Sequence, residues 1–179
     1  VNKSLKGKFL LASGGVADDN FFETVILIIE HDDSGAFGLI VNQETDTNLA
    51  DVYPFFSEMD GNLFYGGPVR QDSMFILYDN PELSGLGQEV LPGLFMGSDE
   101  SLFQEVSESG ADFRLMAGYA GWGPSQLDSE FTANAWLVST ASLDLVLDDP
   151  PEDLYRNLLD LKGGIFSYYA DFVSDPRLN

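Results

Sequence analysis

The 179 residues carry 30 acidic and 8 basic side chains, a formal net charge of -22, with 44% hydrophobic and 13% aromatic content. That balance suits one globular domain with a sizeable core and excludes a disordered chain. The charge excludes direct nucleic-acid binding and attachment to anionic membrane, which need clustered Lys and Arg. The lack of cysteine excludes disulfides, thiolate catalysis and zinc–thiolate sites.

Lys3, Lys6 and Lys8 form the one basic cluster, while Arg70, Arg114, Arg156 and Arg177 are scattered. The longest apolar run, Val25 to Ile29, is far shorter than a membrane span. No basic leader precedes an apolar stretch, so a cytoplasmic location is expected. The acid excess reads as solubility and self-repulsion. An Asp-rich, Lys-poor composition also suits a salt-rich cytoplasm.

In chain order, Phe9 to Ala12 reads as a short strand, and Asp18-Asp19-Asn20 as a turn or cap. Thr24 to Glu30 is β-branched and continuously apolar between its ends, which predicts a strand covered on both faces. His31 to Gly35 supplies turn chemistry and Ala36 to Val41 a second strand, together a hairpin with a longer loop. Asn48 caps a short helix through Tyr53, and Leu63 to Tyr65 is a strand broken by Gly66-Gly67-Pro68. Ser73 to Tyr78 follows as a strand. Gln88 to Met96 reads as two strands bent at Pro92-Gly93. Ser98 caps a helix whose apolar face is Leu102, Phe103 and Val106, ended by Gly110.

Phe113 to Ala117 is a buried strand, and Trp136 to Ser139 another. Between them Gly118-Tyr-Ala-Gly-Trp-Gly-Pro-Ser-Gln-Leu-Asp-Ser-Glu130 holds three glycines, one proline and the first of the two tryptophans. Glycines so dense imply a backbone that turns sharply or is closely approached. Gly123 reads as a helix N-cap with Pro124 as first helical residue. A last helix follows Asp148-Asp149-Pro150-Pro151, with Leu154, Leu158 and Leu161 inward, stopped by Gly163-Gly164. The tail over residues 165–179 is expected to pack on the surface. Strands and helices interleave irregularly, so the class is α+β, in one domain over residues 1–179.

These segments together resemble the AlgH/YqgE family of bacterial proteins. The match runs through Gly7 to Ala12, Asp19-Asn20-Phe21, Thr24 to His31, Gly35 to Asn42 and Tyr65-Gly66-Gly67-Pro68-Val69. It continues through Arg114 to Gly123, Gln126, Leu127 and Trp136, and ends with the helix to Gly163. Ser125 stands where the family often has glycine, and Asp128 where it usually has glutamate. The resemblance implies an α+β fold with a mixed, partly barrel-like sheet flanked by helices. It implies no established activity; members are often labelled transcriptional regulators, a label the charge argues against reading as DNA contact.

His31 is the sole histidine, beside Glu30, Asp32 and Asp33. It could serve as a general base oriented by a carboxylate, with Ser13 or Ser125 as nucleophile. Alternatively it is a hairpin-end histidine bonded to the turn, and this is favoured because no Gly-x-Ser-x-Gly elbow exists. One histidine and no cysteine leave no metal site expected, and no cofactor; the acidic pairs read as caps and turns. Gly66, Gly67 and Gly121 to Gly123 could cradle an anion, yet match no phosphate-loop spacing and read better as close-packing sites. Arg114, the one charge in an apolar strand, could anchor an anionic ligand but reads better as an ion pair with Asp128, Glu130 or Glu30. The candidate interaction residues are therefore Gly66, Gly67, Arg114, Tyr119, Trp122 and Gln126. The expected role is a non-catalytic, regulatory binding domain with a protein or small-molecule partner, the alternative being a hydrolase using His31.

Overall fold

Val25 to Ile29 lie in strand β2 (Val25–Asp32), and all five are fully buried. Val25, Leu27 and Ile29 enter one apolar cluster, while Ile26 and Ile28 enter another on the opposite face. Successive strand residues point to opposite faces, so an unbroken apolar run requires cover on both. The computed structural model describes residues 4–13 and 21–163. The turn expected at Asp18–Asn20 and the tail over residues 165–179 lie outside them.

β2 pairs antiparallel with β1 (Lys8–Ala12) and β3 (Gly35–Ile40). The hairpin is tighter than its composition suggested. His31 and Asp32 belong to the strand, Asp32 faces Gly35, and the turn is Asp33–Ser34 alone. The Asp32 carboxylate accepts the Ser34 N–H (2.7 Å) and its hydroxyl, so the acid makes the turn itself.

The ten-stranded sheet continues from β3 through β9 (Phe113–Trp122), β6 (Val69–Tyr78) and β8 (Leu94–Gly97) to β7 (Gln88–Leu91). β10 (Trp136–Thr140) lies outside β1. A branch of β4 (Glu44–Asn48) and β5 (Asn62–Tyr65) joins β9 through a parallel pairing. Met116 and Ala117 of β9 face β5, and from Ala120 to Trp122 the partner is β3. Gly118, with φ +76°, sits between the two partners. The sheet curls until β7 approaches the head of β1, where a Cβ on Gly7 would lie 3.0 Å from the Val90 carbonyl oxygen. No ladder joins these strands among the described residues, so the curl stays open.

The clusters on this sheet divide the helices. α4 (Leu143–Leu147) and α5 (Pro151–Lys162) supply Val146, Leu154, Tyr155, Leu158 and Leu159 to the largest. α1 (Leu49–Val52) and α2 (Glu100–Ser109) cover a second around Ile76, Tyr78 and Leu115. α3 (Gln126–Thr132) places Leu127 in the third, with both tryptophans. Leu161, expected inward, is 78% exposed. The buried arc of α5 takes in Tyr155 and Leu159, which turns its centre away from Leu161. α2 begins after Asp99 instead of Ser98, without a side-chain cap.

A tryptophan corner and the cleft beside it

The stretch expected to be a turn after Ala117 is mostly strand, since β9 runs on to Trp122. Its glycines answer close approach by other chain segments. A Cβ on Gly66 would meet the Gly118 carbonyl oxygen at 2.3 Å, and one on Gly67 the Tyr119 carbonyl carbon at 2.1 Å. A Cβ on Gly35 would lie 2.1 Å from the Trp122 carbonyl oxygen. Gly66 and Gly67 thus mark where the end of β5 crosses β9. The Tyr119 ring packs against both Phe37 (4.8 Å between centroids) and Phe75 (6.0 Å).

Trp122 and Trp136 end one strand and begin another, with rings edge to face at 5.9 Å. Both are nearly buried, at 6% and 5% exposure. An indole N–H can only donate, so a buried pair needs acceptors. One carboxylate serves both. Glu130 Oε2 accepts Trp122 Nε1–H (2.8 Å) and Trp136 Nε1–H (2.6 Å), while Oε1 accepts from Gln126 Nε2 (2.9 Å). Gln126 Oε1 in turn accepts the Gly123 N–H (3.0 Å). Sequence reasoning raised Glu130 only as a partner for Arg114. Two donor-only indoles flanking a Gln–Glu pair spaced i, i+4 was the available signal. Pro124 does not open the helix as expected, because Ser125 takes a left-handed φ of 60° and α3 starts at Gln126.

Beside this corner lies a cleft of about 410 Å³ whose lining includes Ser4, His31, Asp32, Asp33, Ser125 and Asp128. The structure therefore brings His31 to the segment that follows the tryptophan, while Gly66 and Gly67 are not part of the cleft lining. His31 Nδ1 accepts the Leu5 N–H (3.1 Å), and its carbonyl accepts the Ser4 hydroxyl (3.0 Å). An Nδ1 that accepts has no proton, so the neutral ring carries it on Nε2. Ser13 donates its hydroxyl to the Asn134 carbonyl (2.6 Å), on the far side of β1 from the hairpin turn. The hydrogen bonds of Asp32 to Ser34 hold its carboxyl below the usual carboxylate range.

Arg114 departs from the expected ion pair with Asp128, Glu130 or Glu30. Its Nη1 donates to the Val41 carbonyl (2.7 Å) and Nη2 to the Asp149 carbonyl (2.9 Å). The guanidinium lies 4.8 Å from the centroid of the Phe64 ring. Burial pushes its pKa down, opposed at longer range by Glu44, Asp148, Asp149 and Glu152. It clamps the residue that follows β3 to the junction of α4 and α5. Among the described residues no His, Asp or Glu group of three is placed to hold a metal ion.

Residues 9–167 match the family profile described as AlgH-like. The chain belongs to the AlgH-like family. A UPF0301 protein of Chlorobaculum tepidum is 34% identical over 177 residues, covering 97% of this chain and 95% of that one. A UPF0301 protein of Chlamydia caviae is 35% identical over 179 residues, with 97% and 95% covered. The solution structure of the AlgH protein from Pseudomonas aeruginosa superimposes with a TM-score of 0.75 at 29% identity, covering 95% of each chain. The crystal structure of a Corynebacterium diphtheriae protein gives 0.78 at 25% identity, with 94% and 93% covered. Within this AlgH-like fold, φ at Ser125 explains why glycine suits that position: a serine there meets a steric penalty glycine escapes. No helix among the described residues is long and apolar enough to cross a membrane.

Proposed function

We propose that this AlgH-like chain is a non-catalytic interaction domain, cytoplasmic, that regulates by binding a protein or small ligand in the His31 cleft, with any effect on transcription indirect. The observation that carries this is the state of His31. Its Nδ1 is occupied by a backbone N–H, which leaves the neutral ring a donor at Nε2 and not a base. Ser13, the other half of the catalytic possibility, spends its hydroxyl on a backbone carbonyl. The tryptophan corner supports the reading indirectly, because Gly123 of the cleft lining is tied through Gln126 to Glu130 and so to both indoles. The net charge of -22 favours a cationic or neutral partner over nucleic acid.

The hydrolase alternative draws on one feature, that Ser125 and Asp128 line the same cleft as His31. Two measurements separate the readings. NMR titration with a panel of small cations and basic peptides should perturb His31, Ser125 and Asp128 together. Turnover of activated esters that disappears in both His31→Ala and Ser125→Ala would overturn the binding proposal.

A further inference from the structure

We infer that His31 is a protonation latch for the Ser4–Gly7 segment, whose Ser4 lines the cleft. Three bonds hold this strap to β2. Ser4 donates its hydroxyl to the His31 carbonyl (3.0 Å), Leu5 N–H donates to His31 Nδ1 (3.1 Å), and Gly7 N–H donates to the Ile28 carbonyl (2.8 Å). The Leu5 side chain packs against the cluster that contains Leu127 and both tryptophans. The middle bond alone depends on a titratable group.

Nδ1 cannot carry a proton and accept the Leu5 N–H at once. Docking of the strap and protonation of the ring therefore oppose each other, each weakening the other by the same factor. The charged ring has somewhere to go. Asp32 and Asp33 of the turn and Asp128 of α3 share the cleft with it, and Glu30 precedes it on β2; Lys6 of the strap is the neighbouring cation. An imidazolium bonded to one of those carboxylates gains a charge-assisted hydrogen bond in place of a neutral one. Two arrangements follow: a neutral ring with the strap closed, and a charged ring turned to the acids with Leu5 released and the cleft wider.

The consequence for ligand access rests on the binding proposal above; the latch does not, and the experiment reads the latch alone. Hydrogen-exchange protection of the Leu5 amide is followed by NMR from pH 8 to pH 5, alongside the ring nitrogen shifts of His31. The ring should be the Nε2–H tautomer at the alkaline end. Leu5 protection should then fall by up to about tenfold per pH unit as the pH drops toward the ring's midpoint, and be lost below it, while β2 amides keep theirs. His31→Asn, whose amide oxygen takes the place of Nδ1 and accepts but does not titrate in this range, should give a flat profile. Leu5 protection that stays constant through the ring titration, or that falls equally in His31→Asn, overturns the latch.

Discussion

Replacing Glu130 tests whether the tryptophan corner is held by one carboxylate. In Glu130→Leu two nearly buried indole N–H groups lose their acceptor. Each unsatisfied buried donor costs about 1–3 kcal/mol, so the expected loss is about 2–6 kcal/mol. Glu130→Gln is milder. Its oxygen can still serve the indoles, but its NH2 then meets the Gln126 Nε2–H2 donor. Gln126 cannot flip without giving up the Gly123 N–H. The charge assistance also goes, and the expected loss is about 1–3 kcal/mol. For a domain of this size each kcal/mol lowers Tm by about 2–4 °C, so Glu130→Leu should melt on the order of 5–20 °C lower. Urea unfolding followed by far-UV circular dichroism is the suitable assay, because both tryptophans sit at the mutated site. A Glu130→Leu protein within about 0.5 kcal/mol of the parent, the scatter of ordinary surface changes, would refute the reasoning.

Gly67→Ala should destabilise by on the order of 3 kcal/mol or more, because the new Cβ would overlap the Tyr119 carbonyl group at a φ of +151°. Gly85→Ala, where nothing lies within 4 Å, is the control and should change little on the same denaturation curve. Arg114→Met removes both donors from the Val41 and Asp149 carbonyls and should cost about 2–4 kcal/mol; unchanged stability would dismiss the clamp. Burial pushes the Tyr155 phenol up to about 12, and its hydroxyl donates to the Ala12 carbonyl (2.5 Å). A folded pKa above the unfolded value near 10 means the native state holds the proton longer. Stability is then complete below pH 10 and drains away as pH rises from 10 to 12. Tyr155→Phe should flatten that alkaline limb in denaturant titrations monitored by circular dichroism.

The elements carried by local rules were legible in the amino-acid sequence. β2 followed from an apolar run with no polar face, α2 from its spaced Leu102, Phe103 and Val106, and the β7–β8 bend from Pro92-Gly93. The α+β class followed from their irregular order. Boundaries erred where tertiary partners extended an element. β9 continued past Gly118 because β3 receives Ala120 to Trp122, and the hairpin tightened because Asp32 caps its own turn.

What the sequence by itself determined is a buried double-faced strand, a glycine-rich segment under close approach and a strongly acidic chain. Only the tertiary structure decided which groups meet. Arg114 found carbonyls from residues 41 and 149, His31 found the amide of residue 5, and Glu130 came between two indoles. The physical reason is that periodicity and propensity act over a few residues, whereas a buried donor takes whatever acceptor the packed chain brings within about 3 Å. With thirty acids available, sequence could nominate partners for each cation and indole, and packing alone could choose among them.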